Sequence, residues 1–407
     1  MKILQIDKYF YLKGGAETVF FNTIDLLREK GHEVIPFSLK SPKNKPSHYA
    51  SYFVDYPELS ESSLYTRVRR IPSFLYNPAS ARNLEKLIRD EKPDIAHIHL
   101  LFNGMSVSIL PVLQKYHIPV VMTAHDYRLI CPAYTFTNGR KELCERCITS
   151  KQYWRCITGR CSKGNLPNSV LLSLDTYFRE RFYPPARLID RFIFVSKFSQ
   201  GKHIEADPLY SRKSTHLYNF TPVKPAAGLK KENYLLYFGR ISEEKGIATL
   251  IEAMKRHPGQ SLKIVGTGPL LASLKQAESQ TIRFLGFKQG EELNRLIQQA
   301  AFVIVPSEWY ENNPLTIIES MTLGTPVIGS RIGGIPELIE ENKTGFLFRA
   351  GSAEELSEAI GKARGLDAAR YQAMTEATQV FARENFSKEA HYQRLMQIYE
   401  SALPNTR

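Results

Sequence analysis

Short apolar runs alternate with helix-length amphipathic segments along the first half of the chain. The chain opens with the strand-like run KILQID, then Gly14–Gly15, a helical pattern ended by Gly31, and a second strand-like run, HEVIPFS. Three further apolar runs follow, with helical segments between some of them: PDIAHIHL, PVVMTAHD and RFIFVS. Buried strands that alternate with helices predict a parallel sheet covered on both faces.

The same alternation begins again after residues 221–233, a stretch rich in Pro, Ala, Gly and Lys that is typical of a linker. Five apolar runs predict strands: YLLYFG, LKIVGTG, IRFLGF, AFVIVPS and TPVIGS. Five segments between or after them predict helices: IATLIEAMKRH, PLLASLKQAES, EELNRLIQQA, PLTIIESMTLG and IPELIEEN. A last helical stretch, 377–403, is long enough for two helices.

The sequence therefore predicts an α/β fold of two doubly wound, Rossmann-like domains. We assign residues 1–218 to an N-terminal domain, with 386–407 packing back on it, and residues 219–385 to a C-terminal domain. In open parallel sheets, ligands bind at the carboxyl ends of the strands. We expect the chemistry in loops that follow strands, at a cleft between the domains.

Composition and charge narrow the class of protein. The 407 residues suit two domains, and 43% hydrophobic with 23% charged residues is typical of a globular chain. We find neither a signal peptide nor a membrane-spanning run, and we expect a cytoplasmic protein. Residues 1–213 carry 32 Lys and Arg against 20 Asp and Glu, while the remainder carries 22 against 21. A basic first half favours an anionic partner: nucleic acid, a membrane surface or a phosphorylated substrate.

Two glutamates, Glu311 and Glu319, lie eight residues apart in YENNPLTIIES, on either side of a predicted helix start. At ~1.5 Å of rise per residue their carboxylates should be on the order of 10 Å apart. Retaining glycosidases need about 5 Å and inverting ones about 6.5–9.5 Å, so a hydrolytic pair fits poorly. The spacing suits the two ends of an extended ligand such as a nucleotide-sugar, although this pattern alone is common in helical proteins and more often marks solvated helix charges.

The helix start between these glutamates is itself a candidate anion site. Asn313 suits the N-cap and Pro314 the first helical position. The amides of Leu315 and Thr316 would then be free to bind phosphate.

Loops after the neighbouring strands carry complementary groups. Arg240 and Lys245 follow YLLYFG, where they could clamp a diphosphate. Gly266 follows the next strand, and Gly333–Gly334 follows TPVIGS, where glycines permit close backbone approach. Four such loops on strand ends of one domain predict a ligand site.

The second half of the chain contains four motifs in this order: GRISEEKG, LKIVGTGP, ENNPLTIIE and GTPVIGSRIGGIPELI. On these motifs it resembles the donor half of glycosyltransferase family 4, retaining enzymes of the GT-B fold. Gly14-Gly15-Ala16-Glu17 and TAHDY at 123–127 are similar to that family's first domain. The resemblance implies transfer of a sugar from a nucleoside-diphosphate (UDP or GDP) sugar to a saccharide or lipid-linked acceptor. It places the enzyme in cell-surface polysaccharide biosynthesis, in the cytoplasm or peripherally on the inner face of the membrane.

The resemblance also assigns residue roles. Arg240 and Lys245 neutralise the diphosphate in place of a metal, so no catalytic metal is expected. Glu311 contacts the donor sugar, Glu319 holds the ribose hydroxyls, and His125 lies near the reacting carbon. These imply catalytic roles for His125, Arg240, Lys245 and Glu311, and a donor-binding set of Gly14, Gly15, Arg240, Lys245, Gly266, Phe287, Asn313, Leu315, Thr316 and Glu319. The chain has Asn313-Pro314 where many members have Phe-Gly, which changes the local sugar contacts.

All five cysteines fall within 31 residues, in an insert at about 131–165. Cys144, Cys147, Cys156 and Cys161 form two close pairs that suit either a structural zinc site or free thiols, with Cys131 as a substitute ligand. Some family members have a similar insert after HDY. The segment SLYTRVRRIPSFLYNP at 63–78 suits either a membrane-surface helix or a solvated basic helix.

Two other functions compete with a transferase. A nucleotide-sugar epimerase of the same fold would share the donor site and yield an altered donor in place of a saccharide product. A basic, zinc-stabilised nucleic-acid-binding protein would show salt-dependent DNA or RNA affinity. The second alternative leaves Arg240, Lys245, Glu311 and Glu319 without a role, and we expect no nucleic-acid partner.

Overall fold

The computed structural model describes residues 1–55 and 71–404. The chain divides into two compact units. Unit 1 contains the residues up to Leu217 together with the chain from Tyr392 onward, and unit 2 runs from Tyr218 to His391. Each unit contains one parallel sheet with helices around it, which confirms the predicted pair of doubly wound α/β domains.

Unit 1 is built on a six-stranded sheet in the order β2-β1-β3-β4-β5-β6, in which all neighbours are parallel. Its strands are β1 (Lys2–Ile6), β2 (Glu33–Phe37), β3 (Ile95–Ile98), β4 (Val120–Ala124), β5 (Arg191–Phe194) and β6 (Ser214–His216). Its described α-helices are α1 (Gly15–Glu29), α2 (Ile71–Leu75), α3 (Pro78–Glu91), α4 (Ile109–Lys115), α5 (Trp154–Thr158), α6 (Leu166–Phe182), α7 (Pro185–Leu188), α8 (Lys197–Ala206) and α9 (Leu209–Lys213). A 3-10 turn spans Ala50–Tyr52.

Unit 2 repeats the plan with the order β12-β11-β10-β7-β8-β9, again all parallel. Its strands are β7 (Tyr234–Phe238), β8 (Ser261–Val265), β9 (Ile282–Gly286), β10 (Phe302–Val305), β11 (Val327–Ser330) and β12 (Gly345–Phe348). The helices are α10 (Ile247–Met254), α11 (Leu271–Leu274), α12 (Gly290–Gln299), α13 (Leu315–Thr322), α14 (Ala353–Arg364) and α15 (Ala368–Phe386), followed by α16 (Lys388–Ala402), which passes into unit 1. The strand order reverses between β7 and β10, the switch point where such sheets bind ligands.

Burial explains why these runs form strands. Strand β7 is buried at every residue, as a central strand covered on both faces must be. The core of unit 1 combines residues of the first strands and α1 with Leu395, Ile398 and Tyr399 of α16. The C-terminal helix is therefore part of the unit 1 core.

Several elements of the structure differ from the sequence prediction. The segment IPELIEEN forms only a 3-10 turn at Ile335–Glu337, and PLLASLKQAES forms the short α11 with a 3-10 turn at Lys275–Ala277. Strands β6 and β12 and the 17-residue helix α6 were not predicted. Of the basic segment 63–78, residues 63–70 lie outside the described part, and Phe74 in α2 is buried.

Candidate active site

The loops that follow β7 and β10 bring a cation and a carboxylate into direct contact in unit 2. Lys245 Nζ lies 2.6 Å from Glu311 Oε1, and Ser307 Oγ donates to the same oxygen at 2.7 Å. The Lys245 ammonium also lies 5.2 Å from the centre of the Trp309 ring. The structure thus brings two of the predicted catalytic residues together at the switch point.

Glu311 is buried yet ionised. Burial by itself raises the pKa of the Glu311 carboxyl, but the Lys245 charge and the hydrogen bonds from Lys245 and Ser307 outweigh it, so the net pKa is lowered. A fixed anion here holds the lysine ammonium at the end of β10.

Helix α13 begins at Leu315 with Pro314 as its N-cap. The prediction that Asn313 caps this helix is wrong, because its side chain is engaged elsewhere: Asn313 Oδ1 accepts from the Asn219 backbone amide at 2.7 Å. The side-chain amide of Asn219 in turn donates to the Asn313 carbonyl at 3.3 Å. This double contact fixes the loop in front of α13. The amides of Leu315 and Thr316 precede the first hydrogen-bonded turn, as the first amides of any helix do.

Glu319, one turn into α13, has a different environment. Burial raises the pKa of its carboxyl to about 7. In the part of the chain that the structure describes, no hydrogen bond or ion pair engages this carboxylate. An acceptor group held in a desolvated position is suited to bind hydroxyls, whose hydrogen bonds would favour its charged form.

The glycines in the loops after β8 and β11 mainly allow these loops to pack closely against neighbouring loops. A Cβ at Gly333, where φ is +58°, would lie 2.3 Å from the Glu311 carbonyl oxygen, and Gly334 N donates to that oxygen at 2.7 Å. A Cβ at Gly266 would lie 1.9 Å from the Gly239 oxygen. Gly266 is thus required by the loop after β7, and its contact with a donor stays a prediction.

Arg240 and Phe287 are the members of the predicted donor set in unit 2 whose side chains are exposed. Arg240 follows β7, and its carbonyl accepts the Tyr237 hydroxyl at 2.7 Å, which fixes the backbone from which the guanidinium extends. Phe287 follows β9 and is 65% exposed. Both side chains are accessible to a ligand.

In unit 1, Gly14 is the N-cap of α1, and Gly15 is the first helical residue. Two buried carboxyls lie near this turn: Asp7 directly after β1, and Glu17 in the first turn of α1. Burial raises the pKa of both carboxyls, and their mutual repulsion raises that of Asp7 further. Neither carboxyl was predicted to have a role, although Glu17 belongs to the quoted motif and Asp7 is a charge that directly follows an apolar strand.

His125 follows β4 in unit 1 and pairs with a second histidine. His99 Nδ1 and His125 Nε2 share a hydrogen bond of 2.9 Å, with the rings stacked at 5.1 Å. Burial lowers the pKa of His125 to about 4, so its imidazole is neutral at pH 7. His99, which was not predicted from the sequence, lies in the run PDIAHIHL directly after the neighbouring strand β3.

The cysteines form no recognisable metal centre. In residues 1–55 and 71–404, no three His, Cys, Asp or Glu side chains form a group that could hold a metal ion. Burial raises the pKa of Cys147 to about 12. Cys156 and Cys161 interact with each other, which lowers the pKa of Cys156 and raises that of Cys161. The predicted zinc site at Cys144, Cys147, Cys156 and Cys161 therefore has no structural support.

Comparison with known proteins covers both units. The model of Glycosyltransferase Family 4 matches residues 13–224, about half of the chain, and that of Glycosyl transferases group 1 matches residues 221–379. An uncharacterized 42.6 kDa protein in the cps region of Klebsiella pneumoniae is 26% identical over 348 residues, 81% of this chain and 84% of that protein. The amylovoran biosynthesis glycosyltransferase AmsK of Erwinia amylovora is 35% identical over 137 residues, 30% of this chain and 34% of that protein.

Among solved structures, Anabaena Alr3699/HepE in complex with UDP superimposes with a TM-score of 0.66 at 20% identity, over 98% of this chain and 100% of that one. This likeness extends to both parallel sheets and confirms the predicted GT-B fold with two Rossmann-like domains. Because one family model spans the first unit and a second glycosyltransferase model follows it directly, the chain belongs to glycosyltransferase family 4 and is a glycosyltransferase.

Proposed function

We propose that this enzyme transfers a sugar, with retention of anomeric configuration, from a nucleoside-diphosphate sugar to a saccharide or lipid-linked acceptor in cell-surface polysaccharide biosynthesis. One observation carries the proposal: half-buried Lys245 pairs with buried Glu311 in the same unit as helix α13, whose half-buried Glu319 carboxylate has no partner among the described residues. The UDP complex of the Anabaena protein and the role of the Erwinia relative in amylovoran biosynthesis support it.

The donor occupies unit 2 in this proposal. Arg240 and Lys245 bind the diphosphate, and the α13 amides of Leu315 and Thr316 contribute hydrogen bonds. Glu319 accepts from the ribose hydroxyls and Glu311 contacts the sugar. Phe287, Gly266 and the Asn313 backbone complete the donor set. Two cations and a helix terminus supply the positive charge that a metal supplies elsewhere, so no catalytic metal takes part.

The reaction breaks the bond between the anomeric carbon and the donor phosphate oxygen. Positive charge grows on the sugar while negative charge grows on the departing diphosphate, which Arg240 and Lys245 stabilise. The acceptor hydroxyl attacks the anomeric carbon from the face the diphosphate leaves. Its proton passes to the departing phosphate oxygen, so no side chain is needed as general base. The products are a glycoside of unchanged configuration and a nucleoside diphosphate.

Unit 1 supplies the acceptor side. His125, neutral and held by His99, contacts the transferred sugar through its ring or carbonyl. The Gly14–Gly15 turn at the start of α1 leaves room for phosphate or acceptor, because no side chain projects there.

The acceptor also sets the location. A lipid-linked acceptor would bring the enzyme to the inner face of the cell membrane as a peripheral protein of the cytoplasm. No helix of residues 1–55 and 71–404 is long and apolar enough to cross a bilayer. The cysteine-rich insert after Asp126-Tyr127 would mark a subgroup of the family with its own acceptor loop.

Thermal unfolding with UDP, GDP and their sugars tests the donor site. Ligand at ~100 times its dissociation constant should stabilise the native state by roughly 2.7 kcal/mol. We expect one nucleotide to raise the melting temperature of the wild type and to have no such effect on Glu319→Ala. Exposed Glu358 on α14 offers a matched control, and Glu358→Ala should keep the full shift.

Two outcomes would contradict the proposal. A folded wild type that no nucleotide stabilises would remove the donor site. A nucleotide shift without a saccharide product, or a product of inverted configuration by NMR, would leave the donor site in place and refute retaining transfer.

A further inference from the structure

Helix α6 of unit 1 has the opposite polarity to an ordinary surface helix. Its exposed side carries large apolar residues, including Leu174, 48% exposed, and Phe182, 61% exposed, with Tyr177 between them. Its buried side is polar: Ser169, Ser173, Asp175, Thr176 and Arg179. A helix that packs on a protein core buries its apolar stripe, so this one leaves an apolar stripe without a partner among the described residues.

The polar side is bound to its surroundings, which fixes the rotation of the helix. Ser173 Oγ donates to the Tyr153 carbonyl at 3.0 Å, and Arg179 donates to the Arg128 carbonyl. Arg179, fully buried, also lies 4.0 Å from Asp175 and packs its guanidinium on the Phe102 ring. Turning the helix to bury its leucines would leave these polar groups unsatisfied, which costs more than the leucines would gain.

Helix α5 extends the exposed apolar stripe. The Trp154 amide donates to the Tyr177 hydroxyl at 3.2 Å, so these two aromatic residues are neighbours. Trp154 is 49% exposed. We call Trp154, Leu174, Tyr177 and Phe182 the α6 face.

Basic residues outnumber acidic ones in the segment that carries the α6 face. Residues 151–188 contain seven Lys and Arg against two acids, Asp175 and Glu180, and burial raises the pKa of both acids. Arg155 lies over Trp154 at 5.8 Å, and Arg181 over Phe182 at 5.5 Å. The α6 face therefore combines exposed aromatic residues with arginines that no exposed carboxylate of residues 151–188 offsets.

We propose that the α6 face docks on a lipid surface that carries anionic headgroups. Tryptophan, tyrosine and phenylalanine partition into the boundary of headgroups and acyl chains, and neighbouring arginines bind lipid phosphates. A second copy of the chain suits the face poorly, because its Arg155 and Arg181 would meet like charges. The inference deepens the proposed lipid-linked acceptor and in that respect rests on it, but the docking itself needs neither donor nor acceptor.

Sedimentation with vesicles tests the proposal on the full chain without nucleotide. We expect binding to vesicles of phosphatidylcholine with about 30% phosphatidylglycerol, little binding to phosphatidylcholine alone, and loss of binding at high salt. The double variant Leu174→Ser/Phe182→Ser should bind at least about tenfold more weakly. Arg155→Gln/Arg181→Gln should weaken binding to anionic vesicles roughly thirtyfold, since each arginine contributes about 1 kcal/mol.

Val380 on α15 of unit 2 is 41% exposed and offers a matched control, so Val380→Ser should bind as the wild type does. Failure of the wild type to bind anionic vesicles, or equal binding by the Leu174/Phe182 variant, would overturn the proposal. So would self-association in sedimentation velocity that this variant abolishes, since the face would then be a protein interface. A variant that loses vesicle binding but keeps the nucleotide-induced melting shift separates this proposal from the proposed transferase.

Discussion

The contact between Lys245 and Glu311 shows how one residue can have a structural and a chemical role. Glu311 is almost completely buried, and such an anion is stable only because Lys245 lies 2.6 Å away. In the proposed reaction the same ammonium meets a second anion, the departing diphosphate. Its position is therefore fixed before the donor arrives, which is what electrostatic catalysis requires.

Replacing Lys245 should affect stability and rate separately. Lys245→Ala leaves Glu311 buried without its cation, and we expect the free energy of unfolding at pH 7 to fall by about 3 kcal/mol. We expect kcat to fall by roughly 10²–10³, the usual loss for one group that stabilises transition-state charge. Urea unfolding and initial rates measure the two effects.

The double variant Lys245→Ala/Glu311→Gln separates the structural part from the chemical part. It should regain much of the stability lost in Lys245→Ala, because no buried charge is left unpaired, and it should remain inactive. If the double variant is no more stable than Lys245→Ala, the pair does not act as described.

Glu319 should make the protein less stable as the pH rises, because its carboxyl has a raised pKa in the folded state. Its folded pKa of about 7 exceeds the value of about 4.3 in an unfolded chain. Between these values the folded state binds more protons, so this residue's contribution to stability falls as pH rises from about 4 to 7. Glu319→Gln should therefore be more stable than the wild type at pH 8, by up to about 3 kcal/mol, and nearly equal at pH 4.

Urea unfolding at pH 4 and pH 8 measures this difference, with Glu358→Gln on the surface of α14 as the control. A constant difference between Glu319→Gln and the wild type at both pH values would mean that Glu319 is not desolvated. The expected gain in stability comes with loss of nucleotide binding, the usual exchange at a binding site.

At the scale of elements, the loop after β11 holds the Glu311 backbone in place. Gly333→Ala would place a methyl group 2.3 Å from the Glu311 carbonyl oxygen and would strain a residue with φ of +58°. We expect the free energy of unfolding to fall by at least about 1 kcal/mol and activity to fall with it, because Glu311 must move.

Gly361 in α14 is the matched control, since a Cβ there would meet nothing within 4 Å. Gly361→Ala should stabilise the protein by about 0.5–1 kcal/mol, as expected for a glycine inside a helix, and leave activity unchanged. Purified variants compared by thermal melting and initial rate would decide. Wild-type activity in Gly333→Ala would show that this loop does not position Glu311.

The sequence correctly predicted those elements whose structure depends least on residues distant in the chain. Runs such as YLLYFG are apolar throughout and form central strands, because burial on both faces requires little else. IPELIEEN has a helical pattern, yet only Ile335–Glu337 forms a 3-10 turn, because Gly334 and Ile335 are held against Glu311 and Ile332. Asn313 was predicted to cap α13, but its Oδ1 accepts from Asn219, ninety-four residues away in sequence. A local sequence pattern cannot predict contacts with residues so distant in the chain.

In the candidate site too, the sequence predicts individual residues better than the contacts between them. Lys245 and Glu311 could be named from their motifs, but only the fold shows that they touch. His99 could not be identified as the partner of His125, because their contact depends on β3 and β4 being neighbours in the sheet. Helix α6 was not predicted from the sequence, and its polar side faces the protein because of distant partners such as the Arg128 carbonyl.

At the scale of the whole molecule, charge and chain path separate the two units. Unit 2 contains 20 Lys and Arg against 20 Asp and Glu, so the net charge of +13 resides in unit 1. A unit without net charge suits the proposed donor site, because Arg240 and Lys245 alone would neutralise the diphosphate. A basic unit suits an anionic acceptor or surface.

After unit 2 the chain continues in helix α16, which packs on unit 1. The buried hydroxyl of Tyr399 stabilises this packing. Tyr399 on α16 shares a hydrogen bond of 2.7 Å with His97 Nδ1 and accepts from Gln5 Nε2 at 3.2 Å. Tyr399 is fully buried among apolar residues of the unit 1 core. These bonds link the last helix to strands β1 and β3.

Tyr399→Phe should destabilise unit 1 and leave the donor site intact. Without the hydroxyl, the buried Gln5 amide and His97 ring lose a partner, and we expect the free energy of unfolding to fall by about 1–3 kcal/mol. Tyr392→Phe is the control: its hydroxyl shares a bond of 2.9 Å with His32, but the site is only half-buried, so water replaces the bond and the loss stays below about 1 kcal/mol. Because neither residue belongs to unit 2, both variants should keep the wild-type melting shift with nucleotide. Equal losses in the two variants would show that burial of Tyr399 adds nothing, and loss of the nucleotide shift would show that the last helix affects donor binding.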